Sequence, residues 1–290
     1  GIIVIMQLLN GRYRPSGVMN SNVFGNLSVL LFFVVFVFFK DELFKHKVFS
    51  FFSLLSGLFI IVASGSRGAW LSFLLLSGSY LYFFYKQKNI LSIKSKFFIV
   101  LIIALLAFAG TIKFNNELGG KVSSYERFNT IYTEISDSIS GDQSPTSSGI
   151  RIEMYTKAID NINNVPFFGH GYRTSNIVLF KNDSRAIGKK IFGYNHLHNA
   201  YLTNYFNGGI ILLGALLLLL LVPFRMFIKA NNQNPENPLY IFGALLILGY
   251  ASIGMVNILL GDTYMNGFYV FFLAIVLLQT NKAIELPKLE

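Results

Sequence analysis

Seven apolar stretches divide this sequence, near residues 21–39, 48–64, 68–85, 97–113, 199–224, 239–260 and 264–279, and none has an internal Lys, Arg, Asp or Glu. A helix that crosses a bilayer needs about 17 to 25 mostly apolar residues. Inside hydrocarbon there is no water for the backbone to bond, so each stretch must pair its own amides as a helix. A membrane β-barrel would show segments of about ten alternating residues. The run from Leu216 to Leu221 does not alternate. The expected fold class is therefore all-α: a polytopic transmembrane helix bundle of about seven full spans. Residues 1–9, GIIVIMQLL, read as the tail of an eighth apolar helix. A partial N-terminal span is expected, and with it a piece of a longer protein lacking its first helices.

A hydrophobic content of 53% with 13% charged residues and a mean hydropathy of +0.53 excludes an ordinary soluble domain. Between the fourth and fifth stretches lies a polar segment, so three regions are expected. Residues 1–113 hold N-terminal transmembrane helices, 114–197 form a large helical loop, and 198–290 hold C-terminal transmembrane helices and a tail.

Lys and Arg in short loops set sidedness, because cytoplasmic loops carry the excess. The loops 40–47, 86–96 and 225–237 and the C-terminal tail hold eleven; the opposite short loops hold three, Arg12, Arg14 and Arg67. The larger set is expected in the cytoplasm. That puts the long loop and the three arginines on the extracytoplasmic side of the membrane. The net charge of +10 thus reflects topology and anionic lipid. The long loop is mixed, nine Lys and Arg against eight Asp and Glu, and shows no basic stripe interleaved with aromatics. No nucleic-acid partner is expected. The absence of Cys excludes disulfides, thiolate chemistry and Cys-zinc sites.

The loop reads as two amphipathic helices. In the first, Val122, Tyr125, Phe128, Ile135 and Ile139 recur at helical spacing, and Ser123 with Glu126 offers a capping box. A turn-rich connector follows at 141–149. The second helix starts at Ser147 or Ser148, aligns Ile152, Tyr155, Ile159 and Ile162 on one stripe, and ends by Asn163 or Asn164 before Pro166. PFFGHGYR at 166–173 is a Gly-punctuated turn, and 181–195 reads as polar and mobile. Both helices could equally lie flat on a membrane surface.

The sidedness gathers polar groups on one face of the membrane. Arg67 sits in a short turn between Gly65 and Gly68, Arg151 heads the second loop helix, and His196, His198 and Asn199 stand just before the fifth span. Arginine keeps its charge and offers a planar fork of donors suited to phosphate. Histidine is the side chain most easily poised to take a proton near neutral pH. An Arg at a helix end equally serves as a lipid-phosphate anchor, and His198 equally caps a span. No carboxylate cluster, HExxH or phosphate-binding glycine loop appears. No metal and no cofactor are expected.

These pieces resemble the O-antigen ligase and polymerase superfamily of bacterial membrane proteins. SGSRGAWLSF (64–73) is similar to its Arg-bearing turn. GIRIEMYTKAIDNINNVPFFGHGYRT (149–174) is similar to its loop pattern, HNAYLTNYFNGGIILL (198–213) to its closing His element, and RYRPSGVMNSNVFG (12–25) to its upstream segment. Two departures stand out: Tyr155 takes the place of the usual Trp, and the turn reads NNVP. The resemblance implies a metal-independent glycosyltransferase. It would move a glycan from an undecaprenyl-diphosphate carrier to an acceptor hydroxyl, on lipid A-core or on a second lipid-linked glycan. It also implies catalytic roles for His198, Arg67 and Arg151, and substrate binding by Arg12, Arg14, Arg173, His196, Asn199 and Tyr201. A polysaccharide transporter or flippase is the rival reading. Such proteins place ionisable or broken-helix sites near the midplane, and the spans here lack such charges.

Overall fold

The computed structural model describes residues 2–10, 16–17, 19–38, 47–86 and 147–285, and among these every regular element is a helix. In chain order they are α1 (Ile2–Leu9), α2 (Ser21–Phe38), α3 (Lys47–Ala63), α4 (Arg67–Lys86), α5 (Ser147–Asp160), a 3₁₀ turn (Ile162–Asn164), α6 (Ser175–Phe180), α7 (Ala186–Phe192), α8 (Ala200–Gln233), α9 (Pro238–Gly254) and α10 (Thr263–Glu285). Three are long and apolar enough to cross a membrane: α2, α8, and α10 over Thr263–Thr280. The apolar helices Val48–Ala63 and Pro238–Gly254 are shorter. The expected span near 97–113, the first loop helix, Arg12 and Arg14 lie outside the described residues.

The described residues fall into two compact units. Residues before 87 join Val222–Ser252 and the chain from Asp262 onward; residues 147–221 join Ile253–Gly261. In the first unit the α3–α4 turn is a serine device. Ser64 Oγ donates to the Ile61 carbonyl (2.9 Å) and accepts the Ser66 amide (3.3 Å), and Ser66 Oγ accepts the Ala69 amide (3.4 Å). Side-chain oxygens thus satisfy helix-end groups that would otherwise be orphaned. Trp70 Nε1 donates to the same Ile61 carbonyl at 3.0 Å. A Cβ on Gly25 of α2 would stand 2.6 Å from Ser64 Oγ, so only glycine lets α2 abut this turn. Arg67 is the first residue of α4, directly after that turn.

The second unit has a core of its own: Ile150, Met154 and Ala158 from α5, Leu179 and Phe180 from α6, Ile187 and Ile191 from α7, with Leu197 and Phe206. Two expectations are corrected here. The buried stripe of α5 is Ile150, Met154 and Ala158, while Ile152 and Ile159 are exposed. Both stripes satisfy helical spacing, and the partners supplied by α6 and α7 select between them. Residues 181–195 contain α7, whose Ile187 and Ile191 are buried, so the middle of this stretch is a packed helix.

α8 is broken at Gly208 (φ −131°, ψ 15°) and Gly209 (φ 63°, ψ −157°). The second conformation is essentially reserved for glycine. The break frees the Phe206 and Asn207 carbonyls, which accept the His170 and Gly171 amides at 2.8 and 2.9 Å. Asn207 Oδ1 also accepts the Ser175 amide at 3.1 Å. The 166–173 turn is thereby stitched to the break. A Cβ on Gly209 would lie 1.9 Å from the Phe167 carbonyl oxygen, whereas one on Gly214 would meet nothing within 4 Å. Gly209→Ala is expected to lower the thermal midpoint in detergent, by strain of about 1 to 3 kcal/mol plus the clash. Gly214→Ala should leave it unchanged or raise it slightly. Equal midpoints for the two variants would contradict the break as described.

Candidate active site

The segment 194–199 is an irregular strap immediately before α8, and its backbone is held from several directions. Asn176, fully buried in α6, donates Nδ2 to the Tyr194 carbonyl (2.7 Å) and the His196 carbonyl (3.0 Å). The Leu197 amide donates to Thr203 Oγ1 at 3.1 Å. Asn199 Oδ1 accepts the Leu202 amide at 3.0 Å and so caps α8. Its Nδ2 donates to the Met255 carbonyl at 3.2 Å. The Tyr155 hydroxyl, from α5, donates to the His198 carbonyl at 2.8 Å, with the Met255 carbonyl 3.3 Å away.

His198 itself is left-handed, with φ at 52°. For a residue with a Cβ that conformation costs energy and persists only when surrounding contacts over-determine it. Those contacts are the ones just named. Their effect is to turn the His198 ring against its neighbours. The His196 ring lies 4.4 Å away at 78°, and the Tyr194 ring 5.6 Å away at 69°. The His198 amide donates to His196 Nδ1 at 3.1 Å. That bond occupies the His196 Nδ1 lone pair, so the neutral ring carries its proton on Nε2. His198 Nδ1 is buried and makes no hydrogen bond.

Both imidazoles are held neutral. Burial pushes His198 down from the ordinary 6.5 to about 3, helped by His196 and by the positive charge of Arg151. Burial and Arg151 lower His196 in the same direction. Arg151 stands one helical turn before Tyr155 on α5, and its charge also opposes the upward shift that burial gives the Tyr155 phenol. A permanently charged guanidinium, two neutral imidazoles and a phenol therefore share one electrostatic environment.

α5 is fixed by ions as well as by its apolar stripe. Asp183 Oδ2 accepts from Lys157 Nζ (2.5 Å) and Arg185 Nη2 (2.6 Å), and Arg185 also pairs with Glu153. Hydrogen bonds from Arg185 and then Lys157 hold the Asp183 carboxyl well below the usual carboxylate range. Glu153 and Lys157 lie on α5, and Asp183 and Arg185 lie between α6 and α7. The network ties Arg151's helix to the rest of this unit.

The fold thus brings Arg151, His196, His198 and Asn199 together. Tyr201 follows, half-buried in the first turn of α8. Arg173 is exposed in the 166–173 turn, its guanidinium 5.1 Å over the Tyr172 ring. Arg67 belongs to the other compact unit. Sequence reasoning missed Asn176, Met255 and the ion network, and it gave Tyr155 a place on a stripe and the position of the family's usual Trp, without its bond to the His198 carbonyl. Their partners are up to 100 positions away, with no spacing to betray them. No group of three or more His, Asp or Glu side chains that could hold a metal ion occurs among the described residues.

Comparison with known proteins adds a family. A family model described as O-Antigen ligase matches residues 51–219, more than half of the chain. That match includes the α3–α4 turn and the whole imidazole strap. An uncharacterised protein of Haemophilus influenzae is 29% identical over 237 residues, covering 78% of this chain and 56% of that protein. The chain therefore spans about half the length of the curated relative it matches.

The neutral His198 ring has a consequence for stability. The unfolded chain takes up a proton near 6.5 that the folded ring, at about 3, refuses. Stability from this group is complete above pH 6.5 and is lost as the pH falls from there toward 3. The wild type is expected to lose more thermal stability than His198→Gln between about pH 7.5 and about pH 5. A difference between the two proteins that does not change with pH would show that the ring titrates normally.

Proposed function

The chain belongs to the O-antigen ligase family, and from that premise we propose that it moves an oligo- or polysaccharide from an undecaprenyl-diphosphate carrier to an acceptor hydroxyl on the extracytoplasmic face of the membrane. The membrane-crossing helices and the family identify an integral protein of the bacterial cytoplasmic membrane. The acceptor is lipid A-core or a second lipid-linked glycan. The observation that carries this reading is a half-buried, neutral His198, its proton affinity lowered by burial and by the charge of Arg151, on a strap held by four side chains, Tyr155, Asn176, Thr203 and Asn199.

In this reading the acceptor oxygen forms a bond to the donor's anomeric carbon as the bond from that carbon to the diphosphate oxygen breaks. The bonding pair leaves with undecaprenyl diphosphate. The acceptor's proton passes to the neutral His198 ring. Arg151 stabilises the charge that grows on the departing diphosphate, and Arg67 is assigned the same role on the resemblance of its turn to the family's. His196, Asn199 and Tyr201 contact the sugars, and Arg12 and Arg14 contact the donor's phosphates. Two arginines supply the electrostatic work that a divalent ion does elsewhere, so no metal is required.

The donor also tunes the base. In the free protein Arg151 opposes protonation of His198. A bound diphosphate would offset that positive charge and raise the ring's proton affinity toward the working pH, where general bases act best. Donor binding and base strength are thus coupled through Arg151.

A transporter would use the break in α8 as its substrate or ion site. The Phe206 and Asn207 carbonyls there are already engaged by the His170 and Gly171 amides, which favours the transferase.

His198→Ala and Arg151→Ala are each expected to reduce transfer by about 10²-fold or more without impairing membrane insertion. Wild-type activity should survive EDTA. Normal surface polysaccharide in either variant would remove the proposed chemistry. In pH profiles, the acid limb of kcat should lie at higher pH than that of kcat/KM, because the first reports the donor-bound base and the second the free one. Coincident limbs would contradict the coupling through Arg151.

A further inference from the structure

The 166–173 turn displays apolar side chains that the second unit does not bury. Phe167 is 63% exposed, Phe168 73% and Tyr172 81%. The two phenyl rings meet edge to face at 5.1 Å, forming one patch. Exposed aromatics in a cluster mark an interaction surface and not incidental solvent exposure.

The position of that patch along α8 says what covers it. Before the break α8 reads AYLTNYFN, and after it IILLGALLLLLLVPF, up to Arg225. The two portions have different surroundings. Phe206 is in the core of the second unit, and Leu202 and Tyr205 pack against that core. Past the break, Ile210, Ile211, Leu218 and Leu221 are exposed. From Ile210 to Phe224 the helix rises about 22 Å, and from Ala200 it would rise about 37 Å. The hydrocarbon core is about 30 Å thick. Arg225 and Lys229 can snorkel out at one end. The other hydrocarbon boundary then falls within about two turns of the Gly208–Gly209 break. Tyr201 and Tyr205 lie in those turns, as residues of an aromatic belt do.

The turn cannot leave that level. Its His170 and Gly171 amides are bonded to the Phe206 and Asn207 carbonyls. Its Phe167 carbonyl is packed against Gly209. The Phe167–Phe168 turn is therefore held at the start of the apolar portion of α8, where Ile210 and Ile211 are exposed as well. Beside them Arg173 holds its guanidinium over the Tyr172 ring. An aromatic body with an arginine at its edge suits the zone where acyl chains meet phosphate headgroups.

We propose that the Phe167–Phe168–Tyr172 turn is a membrane-embedded foot: it inserts into the interfacial layer of the bilayer, with Arg173 on lipid phosphate, and seats the second unit on the membrane. This gives Arg173 a lipid partner in place of the glycan donor expected from sequence. The foot does not depend on the transferase reading.

The chain has no cysteine, so a single introduced one can be labelled uniquely. The test uses the full chain in lipid nanodiscs, with a nitroxide at Phe168→Cys and a second reporter at Tyr172→Cys. Asn182→Cys, on an exposed connector, sets the aqueous limit, and Leu218→Cys sets the deep-lipid limit. Power saturation with oxygen and with a nickel chelate reads depth. The expected result places both foot labels between the limits, with more oxygen than nickel accessibility at 168. Nickel accessibility at 168 equal to that at 182 would overturn the proposal, because the turn would then be in water. An immobilised label shielded from both reagents would overturn it too, because protein would then cover the patch.

Discussion

A backbone polar group freed inside or beside hydrocarbon has to find a partner, and that rule governs the second unit of this protein. The Gly208–Gly209 break interrupts α8 just where the helix passes from polar to apolar sequence. It releases two carbonyls that the helix itself no longer satisfies. The His170 and Gly171 amides take them. In doing so the 166–173 turn is bonded to α8 at its break. Asn207 extends the same junction by accepting the Ser175 amide at the start of α6. The core that buries Met154, Phe180 and Ile191 also takes in Phe206, two residues before the break.

The chemistry of the imidazole strap depends on that fixed unit. A left-handed histidine is unfavourable alone, and here the Tyr155 hydroxyl bonds its carbonyl while Asn176, Thr203 and Asn199 hold the residues on either side. Desolvation keeps the two rings neutral, and Arg151 reinforces it. The Asp183 ion network contributes differently. Its carboxylate is nearly buried but fully hydrogen-bonded, whereas Arg185 is partly open to solvent. Exposed ion pairs stabilise weakly, so the network's main effect is to fix the direction of α5 against the α6–α7 connection.

Much of this architecture could be read from residue order. The spans near 21–39, 199–224 and 264–279 answer to the long apolar helices α2, α8 and α10, because an apolar run has one stable form in lipid. The start of α5 at Ser147 was legible from its serines, and its end from Pro166. The glycines of PFFGHGYR announced a turn, and Gly169 and Gly171 have positive φ. Other features were not legible. Ile152 and Ile159 satisfy helical spacing as well as Ile150 and Met154 do, so periodicity alone could not choose the buried face. The 181–195 stretch carries five charges among its fifteen residues, which hid the two isoleucines that anchor α7.

Residue order by itself determined that this chain carries helices able to cross a membrane, and that arginines and histidines stand beside its apolar stretches. Those outcomes follow from solvation, a property each segment carries locally. Only the tertiary structure decided that α5 turns Tyr155 toward the His198 carbonyl, that burial and then Arg151 depress both imidazoles, and that a glycine break ties a loop to a span. These depend on pairings between residues up to 100 positions apart, and a pairing energy exists only once the chain has brought both partners to one place.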